Sequence, residues 1–221
     1  MSVEATKKGS STTEMSEKMQ EGGTKSDALE CRKLHDVFNL VTLPIVSASN
    51  VSFLIMREEK FMWAQFYAFA AYIIADTVWV MLRPQSVASP STIMIHHVVC
   101  LIGWVVPHLI DPSLAFWMSL GVVVEINTIL LIARRHFGRT LLGEILFYST
   151  WIGLRLILFP TSLYLFSFEC ARYTASEAKG NWLNIGVFIL FTMIFLNVLN
   201  LKWSWDLFIK PRKQKGPSEG L

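Results

Sequence analysis

Six apolar stretches dominate the chain, at about 37–56, 61–81, 92–110, 113–132, 145–168 and 183–201. Each is continuous rather than alternating, which speaks for helices and against the strands of a membrane barrel. Each is also long enough to cross roughly 30 Å of hydrocarbon as a helix. The connections are short and carry turn chemistry. They are the charged turn Arg57–Lys60, a segment 82–91 containing Pro84 and Pro90, and Asp111-Pro112, which reads as an N-cap followed by proline at the first helical position. Pro44, Pro107 and Pro160 fall inside or near the ends of the stretches, where kinks are expected. The pattern predicts an all-α polytopic membrane protein with six transmembrane helices, and no internal repeat is visible.

Composition agrees with that pattern. Hydrophobic residues make up 52 % of the 221 and charged residues only 17 %, too few to coat a soluble domain. Residues 1–34 differ: they are polar, carry six basic and six acidic side chains, and show no apolar period. Such a stretch buries too little surface to offset its chain entropy and is expected to be a disordered tail. It lacks the apolar core of a secretory signal, so the first apolar stretch is expected to act as the targeting signal. The division that follows is a tail at 1–34, a membrane domain at 35–210 and a basic C-terminal tail at 211–221.

Charge adds an orientation. Six spans put both termini on one side, and that side then carries fifteen Lys and Arg against four on the other. The excess predicts cytosolic N- and C-termini. The net charge of +3 gives no reason to expect a nucleic-acid partner. Cys31, Cys100 and Cys170 lie in different stretches and read as free thiols. The sequon at Asn50-Val-Ser falls inside the first span and is expected to stay unglycosylated.

The candidate chemistry lies in residues that lipid would penalise. Asp76, His96, His97, Glu125 and Arg155 fall within spans, with Asn127, Asn197 and Asn200 adding amides. Facing lipid, an ionised group at span centre costs roughly 2.5–3.5 kcal/mol on insertion scales, so these are expected to face the bundle interior. Counted from the cytosolic ends, Asp76 lies ~8 Å deep, the histidines ~6–8 Å, Glu125 ~10 Å and Arg155 ~15 Å. Asn197 and Asn200 lie within ~6 Å of that end. The opposite half shows only His108. The agreement in depth predicts a polar chamber toward the cytosolic leaflet, with Arg155 paired to Glu125 or Asp76.

Adjacent helical residues point ~100° apart, so His96 and His97 cannot chelate one metal as an i, i+4 pair can. One is expected to face the chamber and the other to bond a neighbouring helix. The facing histidine, near Asp76 or Glu125, is a candidate general base or nucleophile. No metal site and no cofactor are expected. Trp79, Trp203 and Trp205 read as interface anchors.

These pieces together resemble the TLC-domain family, which includes ceramide synthases, translocating-chain-associating membrane proteins and a ceroid-lipofuscinosis protein. The matching segments are Asp76-Thr-Val-Trp79, Ile95-His-His-Val-Val-Cys100, Val124-Glu-Ile-Asn-Thr128, Arg155 with Pro160, and Asn200-Leu-Lys-Trp203 before a basic tail. The resemblance implies a barrel-like six-helix bundle of two inverted three-helix units around a central cavity. It also implies residence in the endoplasmic reticulum. In the synthases the histidine pair serves N-acylation of a sphingoid base from acyl-CoA, which would put His96 and His97 at the catalytic position. The synthases carry a His-Asp-x-x-Asp run after the pair, whereas Glu125 is the only acid at 122–128 here. The pattern is closer to the small TLC-domain-containing proteins tied to membrane lipid composition. Three functions follow as expectations: a protein that binds lipid in the chamber and contributes to lipid homeostasis, an acyl-CoA-dependent N-acyltransferase, and a transporter. The third is disfavoured by the lack of Gly/Pro-broken helix pairs.

Overall fold

In a computed structural model, the structure describes residues 10–176 and 184–209. The helices are α1 (Ser10–Met56), α2 (Glu59–Leu82), α3 (Pro90–Ile110), α4 (Ala115–Val122), α5 (Glu125–His136), α6 (Leu141–Thr150), α7 (Phe159–Ser176) and α8 (Ile185–Phe208). A π-helical segment, Trp151–Leu158, joins α6 to α7. Among the described residues there is no strand. Six stretches are long and apolar enough to cross a membrane: Ser26–Met56, Glu59–Leu82, Pro90–Ile110, Pro112–His136, Leu141–Arg172 and Ile185–Phe208.

Local chemistry sets the boundaries. Arg57 takes a left-handed φ of 58° and turns the chain from α1 into α2. Pro90 opens α3, where its missing N–H costs nothing. Asp111 accepts from the N–H of Ser113 at 3.1 Å and from its hydroxyl at 2.6 Å, and a short 3₁₀ turn, Pro112–Leu114, leads into α4 as the Asp-Pro pair predicts. Thr140 caps α6 through the N–H of Gly143, and Asn184 caps α8 through that of Val187. Pro44 and Pro107 lie within helices that continue through them.

The spans close into a ring. α1 packs on α2, α2 on α3, α3 on α8, α8 on α7, α7 on α4, and α5 returns to α1. Residues such as Ile55, Tyr67, Ile157, Leu165 and Phe191 lie exposed on the outside. In water that surface would be costly, and against acyl chains it is not. The interior is built on Leu43, Ile73, Trp104, Phe166, Ile189 and Met193.

Two spans leave α geometry. The fourth tightens at Val123–Val124 into three-residue hydrogen bonds, including Asn127 N to Val124 O at 3.0 Å. The fifth widens into the π segment carrying Arg155; that segment gives way to α7 at Phe159-Pro160, where proline's missing N–H breaks the regular ladder. Mid-span departures of this kind recur at functional sites.

One expectation needs correction. Residues from Ser10 belong to α1 rather than to a disordered tail ending at 34. Helix nucleation is costly and propagation cheap, so the apolar span seeds a helix that the polar residues before it extend. Residues 1–9 and the basic run at 211–221 lie outside the described residues.

Candidate functional site

The polar residues of the spans form two clusters, and His96 and His97 part company between them. His97, 5 % exposed, turns toward α2. Its Nε2 lies 3.2 Å from Asp76 Oδ2 and its Nδ1 lies 3.2 Å from Thr77 Oγ1. The other oxygen of Asp76 accepts from His35 Nε2 on α1 at 2.5 Å. Asn39, one turn after His35, donates to its carbonyl at 3.0 Å and accepts from the Tyr72 hydroxyl at 2.9 Å. Trp79 stacks over the His35 ring at 5.8 Å and over Phe38 at the same distance. One carboxylate thus joins three helices through two imidazoles. Beside this knot, the buried Asp36 takes a two-pronged bond from Arg135 of α5 through Nε and Nη2.

His96 points the other way, into a narrow cavity of about 40 Å³. Glu125, Arg155, Asn200 and Cys100 share its polar end with His96, while Trp104, Trp117, Phe159, Met193 and Leu196 line its apolar length. The Cys100 sulfur lies 3.6 Å from both nitrogens of His96, and Trp203 meets the ring edge-on at 5.2 Å.

Arg155 is 6 % exposed, and neutral groups hold it. Nε donates to Asn127 Oδ1 at 3.0 Å, Nη1 to Asn200 Oδ1 at 2.7 Å and Nη2 to Thr128 Oγ1 at 2.9 Å. The Trp151 and Trp203 rings flank the guanidinium at 5.1 and 5.8 Å. Trp151 is itself fixed by a bond from Nε1 to Ser204 Oγ at 2.9 Å. Asn127 is fixed by donating to Phe147 O and Thr150 Oγ1. The π segment rotates Arg155 to where acceptors from α5 and α8 meet it.

Several expectations are revised by this geometry. Arg155 makes no salt bridge with Glu125 or Asp76 among the described residues, although Glu125 is near enough to interact electrostatically. Asn127 and Asn200 supply the better-placed acceptors. Asp76 belongs to the histidine knot rather than to the cavity. Asn197 turns back on its own helix, donating to Met193 O at 2.9 Å. Trp79 and Trp203 pack inward on the two histidine environments, while Trp205 is exposed.

The opposite end of the bundle also holds more than His108. Gln65 donates to Ser119 Oγ at 2.6 Å and Asn50 to Ser119 O at 3.1 Å. Asn50 is 1 % exposed, so the sequon has no room for a glycan.

His35, Asp36, Asn39, Thr77 and Thr128 are functional-site neighbours that the sequence reading passed over. His35 and Asp36 stand at the edge of the first apolar stretch, where ionisable residues read as solvated. The i, i+4 spacing of His35 and Asn39 was the available signal.

The sequence model of one family, described as the TLC domain, matches residues 37–209. No curated protein and no solved structure matches the chain.

Proposed function

This chain belongs to the TLC-domain family, and from that premise we propose that it binds a membrane lipid in the central cavity and contributes to membrane lipid homeostasis. The observation that carries this reading is the amphipathic character of the cavity. One end presents His96, Glu125, Arg155 and Asn200, and the rest, Cys100 and Thr192 apart, is apolar. An acyl chain gains by lying along Trp117, Phe159 and Met193, and a polar head gains by reaching the charged end. The protein acts as an integral membrane protein with both termini in the cytosol, supported by the excess of Lys and Arg on that side. Residence in the endoplasmic reticulum rests on the family resemblance. The test is lipid extraction from protein purified in mild detergent. Stoichiometric lipid in the wild type, lost from a cavity-filled variant, supports the reading. A cavity variant that retains the same lipid contradicts it.

A second reading is favoured by His96, whose ring lines the same cavity as Glu125. There it could serve as the general base of an acyl transfer from acyl-CoA to a sphingoid base. His97, bound to Asp76, would then fix the rotation of α3 rather than take part in the chemistry. Purified protein given long-chain base and acyl-CoA tests this directly. Product formation abolished by His96→Ala supports it, and product formation indifferent to that change removes it.

A further inference from the structure

Arg155 and Glu125 face one cavity and carry opposite charges, yet they do not touch. Direct contact would be the simplest way for two such groups to neutralise each other in a membrane interior. The protein instead commits three neutral acceptors to holding the guanidinium in place. Two of those, Asn127 and Thr128, follow Glu125 within one turn of α5. Among the described residues each guanidinium nitrogen makes one hydrogen bond, so each terminal nitrogen has a second N–H beyond those bonds. The result is a fixed cation and a carboxylate linked to it through the Thr128 hydroxyl rather than by direct contact, both at the polar end of an apolar cavity.

We propose that the Arg155–Glu125 pair recognises a zwitterionic lipid head, in which a phosphate or carboxylate meets the remaining N–H groups of Arg155 and an ammonium meets Glu125. This inference rests on the lipid-binding reading above and deepens it. A neutral head leaves each charge with only the other, out of direct contact, as its complement. An anionic head satisfies Arg155 but is repelled by Glu125, and a cationic head does the reverse. Only a head with both charges gives each buried charge a complement in direct contact.

Native mass spectrometry of the full chain in detergent tests the proposal. The probes are single-chain lipids with one acyl chain and different heads: phosphoethanolamine, lysine acylated on its side-chain nitrogen so that its α-ammonium and carboxylate stay free, phosphate monoester, and glycerol. The wild type is expected to retain both zwitterions over the phosphate monoester and the glycerol ester by about tenfold or more. Glu125→Gln keeps the side-chain shape and removes its charge, and is expected to move the preference to the phosphate monoester. Retention of the phosphoethanolamine lipid alone identifies phosphate as the acidic partner, and equal retention of both zwitterions shows that carboxylate serves as well. Equal retention of all four heads overturns the inference while leaving acyl binding intact. Retention of none contradicts the lipid-binding reading itself. Should Glu125→Gln fail to fold, Glu125→Asp serves instead. It keeps the charge and is expected to bind more weakly with the zwitterion preference unchanged, and a switch to the glycerol ester would overturn the inference.

Discussion

His96 and His97 are consecutive in α3, and their surroundings differ in one respect that separates structure from function. His97 sits in a knot tied across three helices: Asp76 takes His35 on one oxygen and His97 on the other, and Asn39 is held by Tyr72, while His35 Nδ1 and Trp79 Nε1 are buried there without a partner among the described residues. His96 sits in a cavity with Glu125 and Arg155, where opposite charges share a space and make no direct pair. A buried polar group satisfied within the protein ties helices together. One that lines a cavity is within reach of something that enters.

The comparison can be strained from either side, and the largest effect belongs to Arg155. Arg155→Met strands the acceptors on Asn127, Thr128 and Asn200, and is expected to cost about 3–5 kcal/mol. Thermal unfolding in detergent would register a large fall in Tm, because the residue serves both the cavity and the joint between α5, α8 and the π segment. Asp76→Asn comes next, at on the order of 2–3 kcal/mol. It removes the anion that two imidazoles share, yet bound lipid should survive in whatever protein folds. Loss of lipid with unchanged Tm would erase the distinction between the two regions.

How much of this was legible in the sequence depends on what each feature requires. The six spans could be read because a run of apolar residues suffices to specify them. The convergence of His96, Glu125, Arg155 and Asn200 could be read because depth along a helix is a matter of counting. The partner of Arg155 could not, since choosing between Glu125 and the amides depends on rotation about the helix axis. The π segment shifts that rotation at Arg155 itself. Nor could His35 be placed in the knot, because its position at the edge of a span is compatible with either solvent or interior. It is Asp76 and Trp79, one turn apart on α2, that draw it inward.

Smaller effects sharpen the cavity side. A Cβ at Gly121 would stand 3.3 Å from the Phe159 ring, so Gly121→Leu pushes bulk into the cavity. It is expected to cost about 1–3 kcal/mol in overpacking, with bound lipid lost well beyond what that cost explains. Lipid content per mole of folded protein checks this. His96→Ala should be the mildest for stability, below about 1 kcal/mol, since the ring meets only the Cys100 sulfur, the edge of Trp203 and the tilted ring of His97 among the described residues. Its consequence should appear in lipid occupancy or turnover, whereas His97→Ala should appear chiefly in Tm.

The central claim, that the ring of helices encloses a lipid chain whose head meets the charged end, is tested most directly by photolabelling. A lipid with a photoreactive group near the end of its acyl chain is bound to the full-length protein, irradiated, and its adducts mapped by peptide mass spectrometry. The account predicts adducts on Trp104, Trp117, Phe159 or Met193, displaced by unlabelled lipid and absent from Gly121→Leu. Adducts confined to outward residues such as Ile157, Leu165 and Phe191, indifferent to competitor, would contradict it.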